Sequence, residues 1–368
     1  MKVVLLHDWL TGYRGGERVL DAIAEMFPEA PLYTLIHKKD STSPFIENRK
    51  IVTSFLNHIP GIEENYRKFL PLFPLAASSL RITEEADLII SSSHCVIKGV
   101  TKPEGSKHLC YIHSPMRYIY DQFDSYFGPG TSLPIRVAAH VVRPYLQTWD
   151  YTTNTNVDHF VANADFVSER VNFFYGREAS VVHPFVDLKD FRHLQSVPAR
   201  KKNYYLMVTA FAPNKRVDLA IKAMNELGFN LKIVGSGQQA EELRNLAGPT
   251  IEFMGNLTRE EIVGLMREAQ AFIFPGVEDF GITPLESLAA GTPVIAFEFG
   301  GVLETLNPKV AKFFSEPTVS SLKKAIQEFD PSRYEKHELF SRAEFFSREN
   351  FQKNLQNEIN KFHFSSQK

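Results

Sequence analysis

One stretch in the second half of the chain constrains the fold more than any other. Residues 271–274 form an apolar run with the length of a buried parallel strand, and residues 285–290 have the spacing of a helix. Just before that helix, Thr283, Pro284 and Glu286 fit a capping box, with a hydroxyl at the N-cap, proline at the first helical position and a carboxylate at N3. The sequence therefore predicts a strand, a tight loop and a helix that begins near Thr283.

The loop between this strand and helix has the composition of an anion site. A helix N-terminus that follows a glycine presents unpaired N–H groups and a partial positive charge, so the amides from Gly281 to Thr283 suit a diphosphate. Glu278 and Glu286 flank them, and their separation of eight positions suits two different hydroxyl groups of one ligand. From periodicity alone, Glu286 fits equally well as a capping carboxylate, and Glu278 and Asp279 as solvated loop charges.

The bulk properties are typical of a soluble globular protein with room for two domains. The chain has 368 residues, 43% of them hydrophobic and 23% charged, and its net charge of -2 gives no reason to expect a nucleic acid partner. Cys95 and Cys110 lack the spacing of metal ligands or of a disulfide framework, which favours a reducing cytoplasm. The first apolar run, Val3–Leu6, is interrupted by His7 and Asp8 and is too short for a signal peptide.

Short apolar runs alternate with helical patterns in two series. The first series includes a glycine loop, residues 11–18, that opens a helix and forms a second candidate anion site. The charged, proline-punctuated residues 187–202 are poorly periodic, which is typical of a linker, and the alternation restarts after them. We therefore predict an N-terminal domain over residues 1–186 and a C-terminal domain over residues 203–346.

Three polar side chains follow predicted strands. His113 comes directly after the predicted strand 108–112, at the edge where open α/β sheets bind ligands, although a lone histidine is more often structural. Lys215 and Arg216 lie where the loop after another strand meets a helix, a position suited to gripping an anion.

Residues 66–76 combine two cations with a dense apolar run that prolines interrupt. Such a segment suits docking on anionic lipid, where basic residues add electrostatic attraction to apolar insertion. It also fits core packed beneath a loop, and both interpretations stay open.

Residues 235–240 read G-x-G-x-x-A between a predicted strand and helix. Taken alone, this pattern suggests a dinucleotide-binding fold, with Glu252 as a possible ribose-binding acid. The pattern is short and unspecific, so an NAD-dependent dehydrogenase remains an alternative only.

Residues 278–296 resemble the E-x7-E signature of glycosyltransferase family 4, the retaining GT-B enzymes that use nucleotide sugars, and Gly300 and Gly301 continue the match. The glycine loop, the histidine edge and the lysine loop occur in the family order. The resemblance implies an α/β, GT-B architecture, in which two Rossmann-like doubly wound parallel-sheet domains face each other across a cleft. It also implies that a last helix, residues 347–364, packs back onto the N-terminal domain.

The resemblance assigns roles to individual residues of this chain. It implies that His113, Glu278 and Lys215 act in catalysis and that no metal or cofactor is needed. Family members commonly have an arginine at the position of Ala210, so either Arg216 supplies the second cation or the site holds the diphosphate more weakly than usual. The residues that it implies for donor binding are Gly15, Gly16, Arg216, Asp279, Phe280, Gly281, Ile282, Thr283 and Glu286.

The implied reaction is transfer of a hexose from a nucleoside diphosphate sugar to a hydroxyl, with retention. The versions of three motifs, at residues 8–10, 113–118 and 278–281, are most similar to bacterial mannosyltransferases that use GDP-mannose in surface polysaccharide or lipopolysaccharide synthesis. The expected acceptor is a saccharide or a lipid-linked saccharide, and the expected location is the cytoplasm, with possible peripheral contact with the inner membrane. Alternatives are a UDP-sugar transferase, a nucleotide-sugar epimerase, a sugar-nucleotide sensor and a hydrolase with Glu278 and Glu286 as its acid and base.

Overall fold

The computed structural model describes residues 1–128, 130–194 and 200–364, and these divide into two compact units. The first unit comprises Met1–His183 together with the segment that begins at Phe351, and the second comprises Pro184–Asn350. Part of the predicted linker, residues 195–199, lies outside the described residues. Its preceding part belongs to the second unit, where the side chain of Phe191 is buried.

The first unit is a parallel sheet with helices on its faces. Its strands are β1 Val3–Leu10, β2 Leu32–His37, β3 Ile51–Thr53, β4 Leu88–Ser93, β5 Lys107–Ile112, β6 His159–Ala162 and β7 Ala179–Val181. Its helices are α1 Gly15–Met26, α2 Pro44–Glu47, α3 Ile62–Asn65, α4 Phe73–Ser79, α5 Phe123–Phe127, α6 Leu133–Thr153 and α7 Asp165–Tyr175. Short 3₁₀ helices occupy Phe55–His58, Tyr66–Leu72, Ile97–Gly99 and Asn154–Asn156.

The second unit has the same construction. Its strands are β8 Tyr205–Val208, β9 Leu231–Val234, β10 Ile251–Gly255, β11 Phe272–Phe274, β12 Val294–Phe297 and β13 Ala311–Phe314. Its helices are α8 Val217–Leu227, α9 Ala240–Leu246, α10 Arg259–Glu268, α11 Ile282–Ala289, α12 Val302–Thr305, α13 Val319–Gln327 and α14 Lys336–Phe345. Its 3₁₀ helices are Leu188–Asp190, Arg192–Leu194, Pro213–Lys215 and Pro331–Arg333.

Both sheets follow the strand order of a doubly wound fold. The first runs β3-β2-β1-β4-β5-β6-β7, with Val4 opposite Ile89 across β1 and β4, and the second runs β10-β9-β8-β11-β12-β13. The strand order reverses between β1 and β4 in the first sheet and between β8 and β11 in the second. Ligands of open α/β sheets bind outside the carboxyl ends of the strands at such a reversal, so the topology marks one candidate site in each unit.

The first strand is longer than predicted, because His7 and Asp8 do not interrupt it. Both side chains are fully buried within β1. The Asp8 carboxylate accepts hydrogen bonds from the backbone N–H groups of His94, at 2.7 Å, and Ile97, at 2.8 Å. A buried carboxylate is tolerated in a strand when its oxygens are satisfied in this way.

The last helix, α15 Arg348–Phe364, contributes its apolar side to the first unit. Phe351 is buried, and its ring meets that of Tyr111 edge-on at 5.6 Å between centroids. At the next position, the Gln352 amide donates to the Ala22 carbonyl at 3.0 Å. Of the helices in the described ranges, none combines the length and the apolar character that crossing a membrane requires.

Candidate active site

Two loops of the second unit meet where its strand order reverses. Gly276 follows β11, and a Cβ built there would lie 2.4 Å from the carbonyl oxygen of Asn214, so only glycine fits this approach. The backbone N–H of Val277 donates to the same carbonyl at 3.0 Å. The loop after β8, which carries Lys215, and the loop after β11, which carries Glu278, are therefore joined backbone to backbone.

Lys215 and Glu278 form an ion pair across these two loops, and both side chains are mostly buried. A cation that neutralises an anionic ligand and a carboxylate that accepts from hydroxyl groups thus lie side by side. The two groups together suit a ligand that carries both phosphate and hydroxyl groups.

The predicted capping box at Thr283 is wrong. Helix α11 begins at Ile282, and its N-cap is Gly281, which has a left-handed φ of 93°. The glycine makes the turn, so the helix starts before Thr283, and Glu286 lies beyond the N3 position at which a capping box needs its carboxylate. The N-cap glycine has no side chain with which to cap the first amides of this helix, a feature that suits an anion site.

The loop that carries Glu278 is held from behind by the next βα connection. The backbone N–H of Gly301 donates to the carbonyl of Glu278 at 3.0 Å. A Cβ at Gly301 would lie 1.9 Å from the carbonyl oxygen of Asp279, so glycine is required there. Phe280 is buried and meets the ring of Phe346 edge-on at 5.5 Å. The loop is therefore a rigid part of the fold.

Glu286 is buried and pairs with a residue that the sequence did not suggest. Its carboxylate lies 2.8 Å from the guanidinium of Arg259, whose Nε also donates to Asp190 at 2.8 Å. Thr258 and Glu261 have the sequence spacing of a capping box, and the structure confirms that box, which places Arg259 at the first position of α10. The sequence located this helix start but gave no signal that its arginine faces Glu286.

Arg216 differs from its neighbour Lys215 in its partner. Its backbone has a left-handed φ of 49°, and its Nε donates to Asp218, at the start of the same helix, at 3.2 Å. The ion pair of Arg216 is therefore local to α8, whereas that of Lys215 joins two loops.

The glycines of the G-x-G-x-x-A pattern serve loop packing. A Cβ at Gly235 would lie 1.9 Å from the carbonyl oxygen of Thr209, and one at Gly237 would lie 2.5 Å from that of Phe211. Glu252 pairs with Lys232 on the neighbouring strand at 3.0 Å. The features that suggested a dinucleotide fold thus have structural roles, and a dehydrogenase gains no support.

In the first unit, the reversal of strand order opens into a cavity of about 360 Å³. Its lining comes from the loops that follow three neighbouring strands and from the 3₁₀ helix Tyr66–Leu72. The charged residues and histidines of this lining are Arg14, Glu17, Arg67, His94, His113 and Arg117.

Gly16 and His113, predicted from separate motifs, lie together in this lining. A Cβ at Gly16 would lie 3.9 Å from Nε2 of His113, and Gly15 is the first residue of α1. Nε2 of His113 is 2.8 Å from the hydroxyl of Ser92 at the end of β4. The glycine loop and the histidine edge therefore form one surface.

The positive charge of this cavity comes from arginines, because its histidines are neutral. Burial, followed by the charge of His94, lowers the pKa of His113 to about 3. Burial, followed by the charges of Arg117 and Arg14, lowers the pKa of His94 to about 4. The arginines of the lining outnumber its carboxylate, Glu17, so the cavity favours an anion.

The fold as a whole is that of the GT-B glycosyltransferases. It matches the solved structure of sucrose-phosphate synthase from Thermosynechococcus elongatus with a TM-score of 0.73, covering 98% of this chain and 99% of that chain at 18% identity. Such a low identity shows the fold alone. The GT-B class predicted from the motifs is thereby confirmed.

Residues 189–343 match the model of the family "Glycosyl transferases group 1". The matched segment, which is less than half of the chain, is similar to this family and contains both the Lys215 loop and the Glu278 loop. The resemblance proposed from the E-x7-E motif is confirmed at this level.

Two curated relatives carry mannosyltransferase names. The human alpha-1,3/1,6-mannosyltransferase ALG2 is 24% identical over 251 residues, which cover 58% of this chain and 60% of that protein. A GDP-mannose-dependent monoacylated alpha-(1-6)-phosphatidylinositol monomannoside mannosyltransferase from Corynebacterium glutamicum is 33% identical over 139 residues, covering 33% of this chain and 36% of that protein. The chain thus spans less than two thirds of the length of these relatives.

Proposed function

We propose that this protein transfers a hexose from a nucleoside diphosphate sugar to a hydroxyl group of an acceptor, with retention at the anomeric carbon. The sugar is mannose and the donor is GDP-mannose. The observation that carries the proposal is the ion pair between Lys215 and Glu278 beside the uncapped start of α11, within the segment that matches the family model. The mannosyltransferase names of two relatives support the choice of sugar.

In the proposed reaction, the bond between the anomeric carbon and the phosphate oxygen breaks. A bond to the acceptor hydroxyl oxygen forms on the same face of the sugar, and the hydroxyl proton is released with the nucleoside diphosphate. Negative charge develops on the departing phosphate oxygen. Lys215 and the first amides of α11 stabilise that charge, because preorganised donors and cations in a partly buried site need little reorganisation.

The carboxylates take different roles in this proposal. Glu278 accepts from hydroxyl groups of the hexose, and Glu286 accepts from the ribose hydroxyls while Arg259 holds it in place. His113 is a neutral imidazole near pH 7, so it orients a hydroxyl group and does not transfer a proton. The proposal includes no metal ion, since the lysine and the helix start supply the positive charge.

For the acceptor we propose a saccharide linked through a diphosphate to a lipid, used in surface polysaccharide synthesis at the cytoplasmic face of the inner membrane. The arginine-lined cavity of the first unit supports an acceptor that carries phosphate, because Arg14, Arg67 and Arg117 converge on it. Arginine is well suited to phosphate, since its planar fork of donors matches the phosphate oxygens.

Calorimetry with a panel of ligands tests the donor. We expect GDP-mannose to bind more tightly than UDP-glucose, UDP-N-acetylglucosamine or NAD, and a chelator to leave that binding unchanged. Tighter binding of a UDP-sugar would replace the donor proposed here, and binding of NAD alone would contradict the transferase.

A second measurement tests the chemistry. Glu278→Gln keeps the size of the side chain but loses its charge and its ion pair with Lys215, so the hexose is positioned less precisely, and we expect turnover to fall by about 10²-fold and GDP-mannose affinity to fall less. A variant with the wild-type rate of transfer would remove Glu278 from the mechanism. Product formed without any nucleotide sugar would indicate a hydrolase.

A further inference from the structure

The cavity of the first unit is lined by aromatic rings as well as by arginines. Trp9 and Tyr66 line it with 5.0 Å between their ring centroids, and Tyr126 lines it as well. Tyr66 begins residues 66–76, the segment predicted either to dock on lipid or to be core, and Phe73 of that segment is buried in the core. Aromatic faces beside a few polar groups are typical of a pocket for a small organic ligand. The cavity therefore suits more than a bare phosphate.

His94 lines the same cavity, and two neighbouring residues of β1 hold its ring. Its Nδ1 lies 3.4 Å from a carboxylate oxygen of Asp8, which is fully buried. The ring of Trp9 meets the imidazole edge-on at 4.5 Å between centroids. The backbone N–H of His94 also donates to the Asp8 carboxylate, at 2.7 Å. The main chain and the ring of His94 are thus both fixed relative to β1, while its side chain stays 31% exposed.

Asp8 determines which nitrogen of His94 carries the proton. Both of its oxygens accept from backbone N–H groups, one from His94 and Cys95 and the other from Ile97, and such donors favour the charged carboxylate. Burial chiefly lowers the pKa of His94 to about 4, so the imidazole is neutral near pH 7. Nδ1, which faces the carboxylate, therefore holds the single ring proton, and Nε2 keeps its lone pair. Among the residues that the structure describes, none donates to this Nε2.

An acceptor nitrogen in this lining distinguishes a hydroxyl group from a phosphate oxygen. The arginines of the lining are donors and suit phosphate. The lone pair on Nε2 of His94 repels phosphate oxygens but accepts from a hydroxyl. Nε2 of His113, by contrast, lies 2.8 Å from the hydroxyl of Ser92. The carboxylate of Glu17 accepts from the backbone N–H of Arg14. His94 is therefore well placed to select a ligand that carries a hydroxyl beside its phosphate.

We propose that His94, oriented by Asp8, accepts a hydrogen bond from a sugar hydroxyl and makes this cavity selective for a sugar phosphate over a bare phosphate. The arginines bind the phosphate, and the ring faces of Trp9 and Tyr66 cover the apolar side of the sugar. His94 thus determines specificity, and Asp8 is a positioning residue that acts through it. That this sugar belongs to the acceptor rests on the proposed function, whereas the selectivity itself needs no donor.

Calorimetry with two kinds of probe tests the proposal. The probes are inorganic phosphate and the 1-phosphates of glucose, galactose and N-acetylglucosamine, measured with the full chain carrying Lys215→Ala to suppress anion binding in the second unit. We expect at least one sugar phosphate to bind more tightly than phosphate. His94→Phe keeps a ring beside Trp9 but has no acceptor nitrogen, so the affinity for that sugar phosphate should fall about fivefold to tenfold, with the phosphate affinity unchanged. His94→Gln keeps an acceptor oxygen and should recover part of the loss.

The ratio of the two affinities separates recognition from a purely structural role. Asp8→Asn should lower this ratio even where it also lowers thermal stability, because an amide does not fix the proton on Nδ1 of His94. His58→Phe, at an exposed histidine outside the lining, is the matched control and should leave both affinities unchanged.

Two results would overturn the proposal. One is that all three sugar phosphates bind no more tightly than phosphate, and the other is that His94→Phe lowers both affinities equally. Calorimetry of the wild type with GDP-mannose separates this inference from the proposed function. Absent donor affinity beside a preference for a sugar phosphate contradicts only the transferase, whereas donor affinity without that preference contradicts only the role of His94.

Discussion

The two units of this protein share a strand order but carry opposite kinds of polar site. At the reversal in the second sheet, the cations are paired with carboxylates, as Lys215 with Glu278 and Arg259 with Glu286. At the reversal in the first sheet, arginines surround neutral histidines and outnumber the carboxylate. The topology determines where each site lies, whereas the side chains determine what it binds. Paired charges suit a ligand with both phosphates and hydroxyls, and unbalanced arginines suit an anion.

Removing Lys215 should produce the largest effect. Lys215→Ala takes away the cation that stabilises the leaving phosphate, so we expect kcat/KM for transfer from GDP-mannose to fall by about 10²–10³-fold. Arg216→Ala is the matched control, because Arg216 pairs within its own helix, and it should lose much less. A coupled assay of released nucleoside diphosphate measures both. Equal losses of kcat/KM in the two variants would contradict the different roles that the structure indicates for Lys215 and Arg216.

Removing an arginine from the cavity of the first unit should weaken the binding of a different ligand. We expect Arg117→Gln to weaken binding of an anionic acceptor by about tenfold and to leave the affinity for GDP-mannose within error, because the charge it removes belongs to the first unit. Inorganic pyrophosphate is a suitable probe in calorimetry. Measuring it in a Lys215→Ala background suppresses its binding to the second unit. Pyrophosphate affinity that Arg117→Gln does not change would contradict an anion site in this cavity.

The strand-loop-helix units were predictable from the sequence, because apolar runs and glycine loops are local signals. The predicted strands 108–112 and 271–274 each differ from the observed strands, β5 and β11, by one residue at the start. The start of α11 was predicted at the wrong residue. The sequence contains both a capping-box pattern at Thr283 and a glycine at position 281 that can adopt a left-handed φ, and the sequence alone does not show which of them begins the helix. His7 and Asp8 looked like an interruption because the amides that satisfy Asp8 come from residues about 90 positions away.

Residues of the candidate sites were predictable from the sequence only where they belong to a motif. Lys215, Glu278 and Gly281 were named from the resemblance, whereas Arg259 and His94 were missed. Both missed residues act through side chains that meet only after the sheets form, and neither has a spacing that singles it out.

Arg259 should have a moderate effect, because it acts through Glu286. Arg259→Met removes the ion pair that holds the largely buried carboxylate of Glu286, so we expect affinity for GDP-mannose to fall by up to about tenfold. Lys324→Met, an exposed cation at the end of α13, is the control and should leave affinity unchanged. Arg259→Lys should recover part of the loss. A variant that loses thermal stability but binds donor as wild type does would make the pair structural only.

On acidification, we expect the first unit to unfold at a pH that is slightly but measurably higher than that of the second unit. The pKa values of His7 and His113 are lowered to about 3, and those of His94 and His108 to about 4, in each case chiefly by burial. These histidines therefore bind protons in the unfolded chain at pH values at which they stay neutral in the folded first unit. As a result, the stability of the first unit falls as the pH drops below about 6.5.

Two carboxyl groups near these histidines act in the opposite sense. Burial raises the pKa values of Asp8 and Glu17, so each takes up a proton more readily in the folded state than in the unfolded one. The four histidines and these two carboxyl groups change stability in opposite directions as the pH falls. We expect the histidines to dominate, so that acid destabilises the first unit. The second unit contains only His193 and His337, both at the surface, and should resist this range of pH better.

Tryptophan fluorescence can follow the first unit alone, because Trp9 and Trp149 both belong to it. On acidification we expect the fluorescence transition to precede part of the loss of helical circular dichroism, which reports both units. His7→Phe keeps a ring of similar size within β1 but removes one group that must stay neutral, so its fluorescence midpoint should move to lower pH. Coincident transitions, with no shift in this variant, would show that the buried histidines do not make the first unit the more acid-sensitive one.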